Sequence, residues 1–123
     1  QMAGHVTVDD RAIISGLTPI HQFVRIGTYA FVGGASRVNQ DVPPYTKAVG
    51  NPVHLYGLNS VGLQRAGFAP EVKLALKRAY RLLFNSDLTV SQGIARARVE
   101  LPAVAEVETF LKFIEASQRG VMV

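Results

Sequence analysis

An aliphatic residue returns at every sixth position between residues 8 and 38 of this 123-residue chain. Two positions before each member lies a second series, made mostly of small residues. The aliphatic series is Val8, Ile14, Ile20, Ile26, Val32 and Val38, and the second is Val6, Ala12, Thr18, Val24, Ala30 and Ser36. A period of six is neither that of an amphipathic helix nor that of a half-buried strand. It is typical of hexapeptide repeats in a parallel β-helix, where each repeat supplies one short strand and one turn.

Three such repeats make a three-sided coil of eighteen residues, so the pattern predicts about two coils. We expect the aliphatic side chains to point inward and the small residues to let the chain turn. Stable arrays need about three or more repeating units, so we interpret the sequence as the C-terminal part of a longer β-helix. The pattern ends at residues 41–45, because Pro43 and Pro44 cannot donate to a strand ladder.

The hydrophobic period becomes helical from residue 69. Pro70 suits a first helical position, Thr89 with Gln92 forms a capping box for a second helix, and Pro102 is expected to open a third. The residues expected to face the helical core are Val72, Ala75, Leu76, Ala79, Leu83, Val104, Val107, Leu111 and Ile114. The sequence therefore predicts coils at residues 1–52, a glycine-containing connecting loop with short extended pieces at 53–69 and a helical domain at 70–123.

Composition narrows the class of protein. Apolar residues make up 48% and charged residues 18%, as in a folded globular chain. No apolar run reaches the roughly 18 residues of a membrane span, so we expect no stable membrane insertion. The chain has no cysteine, which excludes disulfides and suits the cytoplasm. The net charge of +4 favours an acidic partner.

Histidines are the first candidate site residues. His5 and His21 lie sixteen residues apart, which places them on neighbouring coils if each coil has eighteen residues. They are either surface residues of turns or members of a site. Together with His54 they contain no closely spaced ligand pair, so we predict no metal and no cofactor.

Several motifs resemble one acyltransferase family over the whole chain. They are Gly-His-Val-Thr-Val at residues 4–8, Ile-His-Gln-Phe at 20–23, Asp-Val-Pro-Pro-Tyr at 41–45, Gly-Asn at 50–51, and the segment from Gly-Leu-Asn at 57–59 to Gly-Phe at 67–68. This set is similar to the C-terminal half of UDP-N-acetylglucosamine O-acyltransferases. The resemblance implies a left-handed parallel β-helix followed by a small helical domain, and a cytoplasmic homotrimer with active sites between subunits. It also implies transfer of an (R)-3-hydroxyacyl chain from acyl carrier protein to the 3-hydroxyl of UDP-N-acetylglucosamine, the first step of lipid A synthesis.

The resemblance assigns four residues of the coils to the active-site cleft. Gly4 matches the glycine whose backbone N–H contributes to the oxyanion hole, and His5 matches a histidine that lines the cleft. His21 and Gln22 match a His-Gln pair that also lines it, with the glutamine near the donor substrate.

Further residues are assigned to substrate contacts. Asn59 and Arg65 match polar residues that bind the substrates, and an arginine suits phosphate. Gly34 matches a position that limits the length of the acyl chain. The sequence departs from the family pattern at Val61, where a glutamate is common, and at Ala66, where a second arginine is common.

The family's general base lies in a His-x-x-His-Asp segment about one coil before Gly4, and this sequence contains no such segment. General-base catalysis contributes roughly 10² to 10⁴-fold, so we expect the chain alone to give no acyl transfer above background. Two alternatives stay open. One is a non-catalytic module for trimer assembly and carrier-protein docking, and the other is an acyltransferase that acts on an amino-sugar nucleotide and forms an amide.

A basic stripe lies on the first long helix, and we define it as Lys73, Lys77, Arg78 and Arg81. Three of its members recur every four residues, so their charged ends project from one side of the helix. The stripe is either a solvated helix face or a docking surface for the acidic acyl carrier protein. Nucleic acid is the competing acidic partner, but Tyr80 is the one aromatic residue beside the stripe and no nucleic-acid-binding motif accompanies it.

Overall fold

The computed structural model describes residues 6–16, 18–20, 22–51 and 53–117. Short strands come first and helices follow. The strands are β1 (Thr7–Val8), β2 (Ile13–Ile14), β3 (Arg25–Ile26), β4 (Phe31–Val32), β5 (Thr46–Gly50) and β6 (Val53–Leu58). The helices are α1 (Ser60–Arg65), α2 (Pro70–Phe84), α3 (Val90–Glu100) and α4 (Ala105–Ala116). Gly4, His5 and His21 of the predicted site lie outside the described residues.

The short strands stack in parallel at the predicted interval. Thr7 of β1 lies opposite Arg25 of β3, and Ile13 of β2 lies opposite Phe31 of β4, which in both pairs is eighteen residues further along the chain. This register confirms the eighteen-residue repeat. The next step is shorter, because Phe31 of β4 lies opposite Lys47 of β5, sixteen residues on. The described residues thus form two sheets, β1–β3 and β2–β4–β5–β6, and their strands are parallel except for β6.

Both six-residue series are buried in the middle of the stack. Ile20, Ile26, Val32 and Val38 of the aliphatic series are at most 3% exposed. Members of the second series are buried beside them: Thr18, Val24, Ala30 and Ser36. Val8, the first member of the aliphatic series, is 39% exposed. The inward orientation predicted from the period is therefore confirmed for the members of the two series between residues 18 and 38.

Residues 53–58 form β6 and residues 60–65 form α1, in the stretch where the sequence predicts a connecting loop with short extended pieces. β6 pairs antiparallel with β5, so it supplies partners for the backbone groups at that edge of the stack. Asn59 then caps α1, since its Oδ1 accepts a hydrogen bond from the N–H of Gly62 at 3.2 Å. The glycines that favoured a loop have local roles instead. Gly57 adopts a φ of 95°, and Gly62 packs against the Asn59 side chain.

The longer helices begin and end close to the predicted residues, with one correction. α2 starts at Pro70, and Thr89 and Gln92 form the capping box of α3. α4 starts at Ala105 rather than at Pro102. Its side chains at positions 107, 110, 111 and 114 are buried against the other helices, as the helical spacing predicts. None of the helices in the described ranges has the length and apolar character needed to cross a bilayer.

The motif at residues 41–45 joins the coils to the helices. Tyr45 belongs to the helical core cluster, where burial raises the pKa of its hydroxyl to about 12. Asp41 is 3% exposed and accepts a hydrogen bond of 2.6 Å from the hydroxyl of Ser117, just beyond α4. Arg25 of β3 stacks on the Phe113 ring of α4, with 4.7 Å from its guanidinium carbon to the ring centroid. These contacts fix the helical part against the strand stack.

Candidate functional site

A cleft of about 480 Å³ opens between the outer face of the larger sheet and α1. Its volume falls within the roughly 300–1,000 Å³ typical of small-molecule sites. The sheet, the segment that follows β6, and α1 each supply part of the wall. The lining residues are Ile13, Phe31, Lys47, Tyr56, Leu58, Asn59, Ser60, Val61, Gly62 and Arg65.

Strand alternation aims the sheet residues into this cleft. Val32 and Ala48 are fully buried inside the stack. Successive residues of a strand point to opposite faces, so their predecessors Phe31 and Lys47 face outward. Ile13 lies opposite Phe31 in the ladder and is 55% exposed. The outer face of three consecutive strands therefore presents two apolar side chains and one cation to the cleft.

Asn59 fixes the helical wall. Its Nδ2 donates to the carbonyl of Tyr29 at 3.0 Å, and its backbone N–H donates to the carbonyl of Tyr45 at 2.7 Å. Together with the cap on Gly62, these bonds tie the start of α1 to the strand stack. The Asn59 side chain thus orients α1, which carries Arg65 at its C-terminal end into the wall of the cleft.

The cleft is electropositive. Among the described residues, Lys47 and Arg65 are its charged lining residues, and no acidic side chain lines it. Neither cation belongs to an ion pair within the part of the chain that the structure describes. Both side chains are exposed and free to meet an anionic ligand. Two cations beside aromatic and aliphatic surface suit a molecule with a diphosphate and an apolar or ring portion.

The structure brings some of the predicted site residues together. Asn59 and Arg65 meet in the cleft, and the departure at Val61 also lines it with its side chain 61% exposed. Gln22 and Gly34 are exposed on the coils and are not part of this wall.

Sequence reasoning missed Lys47, Phe31 and Tyr56 as cleft residues. The repeat contained a signal for Phe31 alone, which immediately precedes the inward-facing Val32. Lys47 lies beyond the residues at which the repeat ends, and the sixteen-residue step brings it beside Phe31. Ala66, where the resemblance expects a second arginine, caps the end of α1, so the second cation of this cleft is Lys47.

Metal ligands do not gather in the described ranges. His54 is exposed on β6, and no group of three His, Cys, Asp or Glu side chains with metal-binding geometry occurs among the residues that the structure describes. With His5 and His21 outside those ranges, the expectation of no metal and no cofactor stays a prediction.

Comparison with known proteins identifies the family. The model of the family described as UDP N-acetylglucosamine O-acyltransferase, domain 2, matches residues 41–122. The chain belongs to this family. The resemblance inferred from the motifs is thereby confirmed, and it includes the joint, the cleft wall from β6 to α1 and the helices.

Individual members of the family agree along nearly the whole chain. A curated acyl-[acyl-carrier-protein]–UDP-N-acetylglucosamine O-acyltransferase from Myxococcus xanthus is 47% identical over 94% of this chain and 45% of its own length. Its counterpart from Burkholderia lata is 46% identical over 99% of this chain and 48% of its own. The crystal structure of a UDP-N-acetylglucosamine acyltransferase from Bacteroides fragilis superimposes with a TM-score of 0.93 at 37% identity, covering 96% of this chain and 46% of that one. The chain thus spans about half the length of the proteins it matches.

Proposed function

We propose that this chain serves in an acyltransferase that moves an (R)-3-hydroxyacyl group from acyl carrier protein to the 3-hydroxyl of UDP-N-acetylglucosamine. Family membership over residues 41–122 is the observation that carries the proposal. The electropositive cleft supports it, because a sugar nucleotide offers a diphosphate to Lys47 and Arg65. The product is the first intermediate of lipid A synthesis, and we place the reaction in the cytoplasm.

The reaction is an acyl transfer. The sugar hydroxyl attacks the thioester carbonyl, a C–O bond forms, the C–S bond breaks, and the hydroxyl proton ends on the carrier-protein thiol. A backbone N–H at Gly4 would stabilise the oxyanion that develops. His5, His21 and Gln22 would surround the reacting groups in the active-site cleft between subunits. Gly34 would leave room for a longer acyl chain. These assignments rest on the resemblance and not on the described geometry.

We propose that the strand stack is part of a left-handed β-helix. We also propose that three copies of the protein associate through these β-helices as a homotrimer. The eighteen-residue register supports the coil, as does the superposition on a family structure. Exposed apolar side chains on the coils support association with other copies, since Phe23 is 58% and Ile13 is 55% exposed. Light scattering of the protein should give the mass of a trimer, and a monomer at high concentration would contradict this.

The function is tested by acyl transfer with the protein expressed from the reading frame that encodes this chain. With (R)-3-hydroxyacyl carrier protein and UDP-N-acetylglucosamine, mass spectrometry should detect the acylated sugar nucleotide, and mild alkali should release the acyl group because it is held by an ester. An alkali-stable product formed only from an amino-sugar nucleotide would favour the amide-forming alternative. Binding of the carrier protein without turnover would favour the non-catalytic module.

The basic stripe predicts the carrier-protein surface. Replacing both Lys73 and Arg78 with glutamate should raise the apparent KM for acyl carrier protein about tenfold at low salt, because charge complementarity mainly sets the encounter rate. The KM for the sugar nucleotide should stay within about twofold, since neither residue lines the cleft.

Lys112→Glu is the control, because it reverses one exposed charge on α4 rather than on the helix that carries the stripe. An equal rise of the KM in this control would show that the effect comes from the net charge of the protein and not from the stripe. An unchanged KM for acyl carrier protein in the double variant would show that the stripe is only a solvated helix face. Tight binding of a nucleic-acid probe would favour nucleic acid as the acidic partner.

A further inference from the structure

A second, smaller cavity of about 220 Å³ lies where α2 passes the end of β6 and the start of α1. It divides the basic stripe, because Lys77 and Arg81 line it whereas Lys73 and Arg78 do not. Its lining residues are Gly57, Leu58, Ser60, Lys77, Tyr80, Arg81 and Asn85. Leu58 and Ser60 also line the larger cleft, so the two cavities share part of a wall.

The polar groups of this cavity are donors. Lys77 and Arg81 stand one helical turn apart, and neither is in an ion pair within the described ranges. The Tyr80 hydroxyl accepts a hydrogen bond from the Gly57 N–H at 3.1 Å, so its own hydrogen is available to a further acceptor. Burial raises the pKa of Tyr80, which keeps this hydrogen in place at ordinary pH.

The chemistry of the cavity fits one ligand group. No carboxylate of the described residues lines it, while an ammonium, a guanidinium, a phenol, the Ser60 hydroxyl and the Asn85 amide do. Its volume is below the roughly 300 Å³ at which sites for drug-sized molecules begin, so it suits a single small group rather than a whole nucleotide. A tetrahedral oxyanion presents several acceptors to such a set of donors.

We propose that the cavity formed by Lys77, Tyr80, Arg81 and Ser60 binds a phosphate ester. Within the proposed function, on which this role rests, the phosphate has two sources. One is the phosphodiester of the carrier protein's pantetheine arm, and the other is the diphosphate of the sugar nucleotide. The shared wall at Leu58 and Ser60 places a phosphate held here next to the cleft in which the acyl acceptor would lie.

Two double variants of the same helix test the site. Lys77→Met with Arg81→Met removes two charges from the cavity, and Lys73→Met with Arg78→Met removes two charges from the rest of the stripe. Pantetheine 4′-phosphate, UDP and inorganic phosphate are titrated into each protein by calorimetry, and circular dichroism verifies the fold. The cavity variant should weaken binding of at least one phosphate ester by about tenfold or more, and the control by less than about twofold.

The ligand that loses affinity identifies the source. Selective loss of pantetheine 4′-phosphate assigns the cavity to the carrier-protein arm, and selective loss of UDP assigns it to the nucleotide. The charge-retaining variant Lys77→Arg with Arg81→Lys should restore most of the binding. Equal weakening by both double variants, or none by the cavity variant, would overturn the proposal.

The outcome is separable from the proposed function. If the protein transferred acyl groups but the cavity variant bound phosphate normally, the phosphate site would be disproved and the acyltransferase function would stand. If the product of the full reading frame bound phosphate through Lys77 and Arg81 but transferred no acyl group, the phosphate site would stand and the acyltransferase function would be disproved.

Discussion

Replacing both Lys47 and Arg65 with methionine should weaken UDP binding by about 100-fold. Each cation is exposed, and no carboxylate of the described residues lines the cleft, so a diphosphate in the proposed nucleotide site would be able to pair with both. A hydrogen bond to a charged group contributes about 1.5–3 kcal/mol, and at an exposed position we take the lower value. That value corresponds to about tenfold for each side chain. Methionine keeps much of the aliphatic stem and removes the charge.

Calorimetry at two salt concentrations measures this effect. The unaltered chain should bind UDP more weakly at high salt, and the double variant should lose most of that dependence. Lys112→Met is the control, since Lys112 is an exposed lysine on α4 outside the cleft wall. Uridine, which has no phosphate, should bind both proteins equally. If the double variant bound UDP as tightly as the unaltered chain, this cleft would not be the binding site of the diphosphate.

The repeat predicted the strand stack because its physical cause is local. A side chain that must point inward every six residues leaves a period that can be counted, and the pairing of Thr7 with Arg25 follows from it. The step of sixteen residues from β4 to β5 departs from the eighteen-residue period, so the repeat does not predict it. Gly27 is buried against Pro44, where an added Cβ would clash with the proline backbone, and this close approach depends on the folded chain.

The sequence did not predict the helix at residues 60–65 or the length of the strand at 53–58, because glycine occurs in loops, strands and helices for different reasons. Gly57 and Gly62 were interpreted as loop residues, yet one supplies a positive φ at the end of β6 and the other makes room for the Asn59 side chain. The same limit affects the site. Resemblance proposed Asn59 as a substrate contact, and the structure adds the bonds by which it holds α1 in place.

The motif at residues 41–45 was predicted to end the pattern, and in the structure it also joins two cores. Tyr45 packs among the helices, whereas Val42 lies in the core of the coils. Asp41 connects both parts through one carboxylate. Its Oδ1 accepts the backbone N–H of Arg25 at 2.8 Å and its Oδ2 accepts the hydroxyl of Ser117 at 2.6 Å. The motif thereby makes the orientation of the helices depend on the register of the coils.

Asp41→Ala should lower the free energy of unfolding by about 2–3 kcal/mol. Two hydrogen bonds to a charged acceptor are lost, and the Arg25 N–H is left without the carboxylate that it meets in the folded state. Relief from burying a charge offsets part of this loss. Ser117→Ala removes only the bond to the end of α4 and should cost about 1 kcal/mol.

Urea unfolding gives these free energies, and hydrogen exchange locates them. In Asp41→Ala the amides of α4 should exchange faster than in the unaltered chain, because the end of that helix loses its attachment to the coils. Asp87→Ala is the matched control, since it removes an exposed carboxylate between α2 and α3 and should change stability by less than about 0.5 kcal/mol. If Asp41→Ala were as stable as this control, with α4 equally protected, Asp41 would not be the joint between the coils and the helices.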